Sequence, residues 1–144
     1  MKSCKSGKFI EDIGTKAEGK KRERKIISYR DLIVWQKSMV LVTQVYLISK
    51  TLPKEELYGL VSQIRKSAVS VPSNIAEGYG RNSTKDYLRF LQIASGSLYE
   101  MQTQLEICQN LEYISMQEYN RINAQSMEIE RMLSSLIRKV TNNK

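Results

Sequence analysis

Arg81, Lys85 and Arg89 recur every fourth residue, the spacing that stacks side chains on one side of an α-helix. Arg65 and Lys66 lie in the preceding apolar segment, one or two turns ahead of Pro72. If the neighbouring helix ends converge, these five cations form a patch that holds phosphates without reading base sequence, and its affinity falls steeply with salt. Tyr79 and Tyr87 stand close by, where stacking on unpaired bases competes with ordinary helix packing, the commoner use. A second basic run, Lys20, Lys21, Arg22 and Arg24, lies near the N-terminus. Residues 1 to 30 hold ten Lys/Arg against four Asp/Glu, while residues 31 to 144 hold thirteen against eleven. The formal charge of +8 therefore belongs mostly to the leader. A basic arm beside a nearly balanced body fits attraction to nucleic acid or an anionic surface, or a plain solubilising leader.

Other chemistries find little support. The chain has no histidine, which removes the usual general base, Ser-His and Cys-His pairs, and most zinc sites. It also removes the Glu-x-x-His ligands by which helical bundles hold two iron atoms. Glu77, Glu100 and Glu106 read as charged faces or ion-pair partners rather than metal ligands. The stretch "EGYGR" lacks the strand and the lysine-hydroxyl end of a phosphate-cradling loop. We therefore expect no metal, no cofactor and no enzymatic activity. Cys4 and Cys108 show no paired spacing, which fits reduced intracellular thiols. No stretch approaches the length of a membrane span, and the charged N-terminus lacks the apolar core of a signal peptide. The expected location is the cytoplasm, with no membrane partner.

The elements that must position the cations are legible from their ends. Ser28, Ser83 and Ser115 each precede a carboxylate by three residues (Asp31, Asp86, Glu118), the arrangement in which hydroxyl and acid cap a helix reciprocally. Pro53 followed by Glu55 and Glu56 marks a fourth start. Between these starts apolar residues recur at steps of three and four. The first stripe is Leu32, Trp35, Met39, Val42 and Tyr46; the second runs from Leu57 through Ile64, Ala68 and Val71 to Ile75. Leu88, Leu91, Leu98 and Leu105 mark the third, and Ile122, Ile129, Leu133 and Val140 the fourth. Short connections require antiparallel neighbours, so the expectation is all-α: an up-down-up-down four-helix bundle over residues 29–144, preceded by a basic, flexible tail over 1–28. Pro72 interrupts the second stripe without shifting its phase, which predicts a kinked helix with Ser70, Ser73 or Asn74 serving the freed backbone groups. Gly78 and Gly80 would then end that helix in a left-handed turn. Glu77, an acid near a helix C-terminus, calls for a cation, and Arg81 or Arg65 would serve.

The first helix is apolar over most of its circumference, a pattern that calls for more than one neighbour. Val34, Leu41, Val45 and Ile48 lie about a hundred degrees from the Trp35 stripe and are the candidate interface of a homo-oligomer. In "IASGS", Gly96 and the adjacent Ser97 permit another backbone to come close.

The stretches "YRDLIVWQKSM", "YGLVSQIRKSAVSVPSNIAEGYGR" and "YLRFLQIASGSLYEMQTQLEI" resemble the bacterial four-helix-bundle family that includes the 23S rRNA intervening-sequence proteins. The resemblance extends to the accessory protein of diversity-generating retroelements, which works beside a reverse transcriptase. It covers Tyr29 to Ile137 and marks Trp35, Gln63, Arg65, Pro72, Asn74, Glu77, Gly78, Arg81, Gly96 and Ser97 as motif positions. It implies a non-enzymatic homopentamer with a nucleic-acid connection. The function expected is RNA or DNA binding through backbone charge; the alternative is a protein–protein adaptor, for example an accessory subunit of a reverse transcriptase.

Overall fold

A computed structural model describes residues 10–17 and 20–143, with side chains described from Lys25 onward. Four helices form the body: α1 (Ile33–Ser49), α2 (Ser62–Tyr79), α3 (Thr84–Asn110) and α4 (Met116–Asn142). The capping residues act as their spacing requires. The Ser83 hydroxyl accepts from the Asp86 amide at 3.0 Å, opening α3. At α4 the bonds are reciprocal: Ser115 Oγ accepts from the Glu118 amide at 3.0 Å, and Glu118 Oε1 accepts from the Ser115 amide at 3.2 Å. The same box at Ser28 caps a single 3₁₀ turn, Tyr29–Asp31, and α1 begins two residues later. Asp31 is buried there, its carboxylate accepting from the Ile27 and Ser28 amides at 2.9 and 3.0 Å.

Cross-helix bonds fix the directions. Ser67 pairs with Gln104 and Ser70 with Ser97, so α3 runs down as α2 runs up. Lys37 pairs with Glu128 and Gln44 with Arg121, which sets α1 against α4 in the same way. Each helix packs on two neighbours around one core, the four-helix bundle expected from the sequence. Its centre holds Leu41, Ile64, Ile75, Leu91, Leu98, Met101, Ile122 and Leu133, all essentially without solvent exposure.

Three features depart from the sequence reading. The first concerns the phase of α1. Val34, Leu41, Val45 and Ile48, assigned to an outer interface, lie inside the protomer at 0–4 % exposure, whereas Met39 and Tyr46 of the supposed seam are exposed. Ser38 explains the reversal. It sits on the buried stripe with its hydroxyl donating to Val34 O at 2.7 Å, so a residue counted as polar is buried with its bond satisfied.

The second concerns α2. Its regular helix continues through the buried Pro72, with Asn74 Nδ2 donating to Ser70 O (2.8 Å) and Ser70 Oγ (2.9 Å) in the same turn. The non-helical backbone falls earlier, at Gly59 (φ −111°, ψ −111°), within a π-type turn over Leu57–Val61. There Glu56 Oε1 accepts the Leu60 amide at 3.1 Å, replacing a backbone acceptor, and Tyr113 donates to Glu56 Oε2 at 3.1 Å. Gly80 ends α2 with right-handed torsions (φ −79°, ψ −5°), not in a left-handed turn.

The third concerns the leader. Residues Ile10–Ala17 (β1) and Lys20–Lys25 (β2) pair antiparallel, with Ile10 opposite Lys25 and Ala17 opposite Lys20, and a register shift between Asp12 and Lys16. Six charged residues in a row give β2 no alternation of apolar and polar positions from which a strand could be read. The strand pair leads through the fully buried Ile26 directly into the bundle.

Candidate nucleic-acid interface

The antiparallel arrangement gathers four chain segments at one end of the bundle: the approach to α1, the α2–α3 turn, the start of α3 and the end of α4. Residues 25–33, 76–92 and 134–143 hold seven Lys/Arg (25, 30, 81, 85, 89, 138, 139) against three Asp/Glu (31, 77, 86). The carboxylate of Asp31 is committed to backbone amides. That of Glu77 is committed to Arg81, whose Nη2 lies 2.7 Å from Glu77 Oε2, which answers the helix-terminus problem posed by the sequence. At the opposite end, residues 44–62 and 100–121 hold three Lys/Arg against six Asp/Glu. The bundle is thus polarised along its length.

Within the basic end, Phe90 organises the cations. The Arg81 guanidinium lies 4.8 Å from its ring centroid and that of Arg89 4.7 Å. Lys85 stands one turn from Arg89 on the same exposed side. Cation–π contact orients a guanidinium without consuming its N–H donors, one of which Arg81 gives to Glu77. Arg30 is held in the same manner over Tyr29 (5.4 Å) and Trp35 (5.6 Å), two rings that themselves meet edge to face. Phe90 and Arg30 escaped the sequence reading; an aromatic beside Arg89 was the available signal.

Two aromatic rings of this end are buried: Tyr87 is 2 % exposed and meets the half-buried Tyr79 edge to face at 6.0 Å, and Phe90 is 8 % exposed. Tyr87 therefore serves packing. Gly78 makes that packing possible: a Cβ there would lie 2.7 Å from Phe90 Cβ and 3.3 Å from Tyr87 O.

Arg65 and Lys66 do not join this patch. Fifteen residues of helix and turn separate Lys66 from Arg81, about 22 Å along the axis. Arg65 is instead fixed between α1 and α2, its guanidinium 4.5 Å from the Tyr46 ring and its Nε donating to Ser49 Oγ at 2.7 Å. Both cations border an open groove of about 620 Å³ with Tyr46, Leu57, Tyr58 and Val69. Lys20, Lys21, Arg22 and Arg24 lie on β2, which enters the bundle at the basic end; their side chains fall outside the described residues. Of the other motif positions, Trp35 is half-buried, Gln63 is exposed, Ser97 bonds Ser70, and Gly96 has nothing within 4 Å of where a Cβ would stand. Among the described residues there is no cluster of three or more metal-ligating side chains, and no helix is long and apolar enough to cross a membrane.

Fold and charge together define a four-helix-bundle protein with one strongly basic end. The family model of the 23S rRNA-intervening sequence proteins matches residues 30–135, and the chain belongs to that family. Among solved structures it is similar to a protein of unknown function from the S23 ribosomal protein family of Bacteroides thetaiotaomicron. The two are 30 % identical, over 72 % of this chain and 97 % of that one, with a TM-score of 0.68. No curated protein matches the sequence.

Proposed function

We propose that this protein is a non-enzymatic, homo-oligomeric bundle of the bacterial cytoplasm that binds RNA or DNA through the phosphate backbone. The observation that carries the reading is the basic end, where seven cations meet three acids and two guanidiniums are oriented on Phe90. Because Tyr87 and Phe90 are buried and Tyr79 packs half-buried against Tyr87, the contact is with phosphate and carries little base preference. The exposed apolar residues of α1, Met39 (44 %), Val40 (54 %) and Leu47 (51 %), support self-association and replace the four buried positions first assigned to it.

The test is a salt series with a duplex DNA and a structured RNA, comparing the full chain with the Arg81→Gln/Lys85→Gln/Arg89→Gln variant. Log affinity should fall linearly with log salt, and on duplex DNA the triple variant should lower that slope by about 2.7, or 0.9 per lost contact. Unchanged slope and affinity, with helicity intact, would refute the basic end as the site. Failure of the full chain to bind near physiological salt would leave the adaptor reading, with a protein such as a reverse transcriptase as partner.

A further inference from the structure

Two exposed surfaces of this chain have no partner among the described residues of the protomer, and they complement each other. The first is the groove between α1 and α2. Tyr58, 92 % exposed, and Leu57, 49 % exposed, rise beside it, and Val69 and Tyr46 continue its apolar lining. Its charged lining residues are Arg65 and Lys66, with no carboxylate among the described residues that line it. The π-type turn at Leu57–Val61 is what turns Leu57 and Tyr58 outward; a regular helix started at Pro53 would place Leu57 on the buried stripe with Ile64.

The second surface is the outer face of α3. Ile93, Tyr99 and Ile107 are 41, 49 and 39 % exposed, and Glu100 and Glu106 stand exposed among them. Gly96 sits in the middle with open space where a Cβ would be. A glycine in an exposed helix interior is less stable than alanine, and among the described residues nothing uses the close approach it allows. From Ile93 to Ile107 the helix rises about 21 Å, and Leu57 to Ser70 spans about 20 Å. The two surfaces match in length, in apolar character and in opposite charge.

We infer that the α1–α2 groove of one copy receives the outer face of α3 from a second copy, with Lys66 and Arg65 facing Glu100 and Tyr58 packing at the seam. The contact is heterologous: each copy offers both surfaces and uses different residues on each side. The inference rests on the homo-oligomer reading above and assigns its contact to these two surfaces, apart from Met39, Val40 and Leu47 of α1.

Two variants of the full chain, each altered only at exposed positions, test it. Tyr58→Glu spoils the groove, and Gly96→Gln blocks close approach on α3 while improving helix propensity. Light scattering coupled to size exclusion should show the wild type as an oligomer and each variant alone as a monomer with unchanged helicity. Gly96→Gln should melt no lower than the Tyr58→Glu monomer, which separates lost assembly from lost folding. An equimolar mixture of the two has one intact groove and one intact α3 face, so it should form a one-to-one pair that grows no further. Either variant retaining the wild-type mass, or a mixture that stays monomeric, would overturn the heterologous contact while leaving self-association standing. A monomeric wild type would overturn both.

Discussion

Gly78→Ala tests the central packing claim because two physical effects predict opposite signs. Helix propensity alone favours the substitution by about 1 kcal/mol, since Gly78 lies inside α2 with right-handed torsions. The structure predicts the reverse. The new methyl carbon would sit 2.7 Å from Phe90 Cβ, 3.1 Å from Tyr87 Cδ1 and 3.3 Å from the Tyr87 carbonyl oxygen, against an ordinary carbon–carbon separation of about 3.5–4.0 Å. The atoms in the way are a backbone oxygen, a Cβ and a buried ring, none of them a flexible tip. Relief therefore requires α2 and α3 to move apart by several tenths of an ångström along a helix pair that also holds the Ser67–Gln104 and Ser70–Ser97 bonds. Overpacking costs about 1–3 kcal/mol, and a 2.7 Å contact with no flexible tip to give way belongs to the upper part of that range, about 2–3 kcal/mol, so with the propensity gain subtracted the net loss is about 1–2 kcal/mol. For a chain of this size that lowers the melting midpoint by roughly 3–6 °C. Gly80→Ala is the control: its Cβ would meet only carbonyl oxygens of its own helix at 3.6 and 3.9 Å, an ordinary contact. Urea unfolding of both variants and wild type at one protein concentration reads the difference. If Gly78→Ala proves as stable as wild type, the close approach of α2 to Phe90 is not what holds this corner.

Other outcomes follow from single contacts. Glu112 holds a left-handed backbone (φ 62°) in the α3–α4 turn, so Glu112→Gly should raise the urea midpoint by about 0.5–1 kcal/mol equivalent; a fall would mean the side chain outweighs the strain. Asp31→Ala strips the part-buried amides of Ile27 and Ser28 of their acceptor and should cost about 1–3 kcal/mol, and an unaltered midpoint would show the Ser28 turn to be dispensable. Burial first, and then the charge of Glu56, push the Cys108 thiol up from 9.0 to about 11. The folded state thus keeps a proton that the unfolded chain gives up, so stability present below pH 9 should be lost between about pH 9 and 11. Comparison with Cys108→Ala isolates that loss, and parallel pH profiles for the two chains would refute it.

What the sequence disclosed was governed by local rules. Ser83 and Ser115 cap helices because a hydroxyl three residues ahead of an acid is a sufficient local instruction, and Glu77 found Arg81 because four residues make one turn. The phase of α1 was hidden because apolar residues surround it, and the deciding position, Ser38, is buried through a hydroxyl bond to its own helix. Arg65 looked like part of the basic patch because the sequence shows how many residues separate two cations but not which end of the bundle each one reaches. Gly78 was assigned to a turn, whereas its function is proximity to Phe90, a contact made by tertiary structure alone. The paired strands of the leader carry no apolar alternation and left no periodic trace.

The separation of charge along the bundle gives the molecule a permanent electric dipole on the scale of its length. Its longest helices have 27 residues, about 40 Å, several times the screening length of about 8 Å at physiological ionic strength. A polyanion approaching the cationic end is therefore shielded from the carboxylates at the other. The same dipole exerts a torque before contact, turning the bundle end-on as it diffuses inward. Encounter is thus oriented in advance, and lowering the ionic strength should accelerate capture more than it slows release.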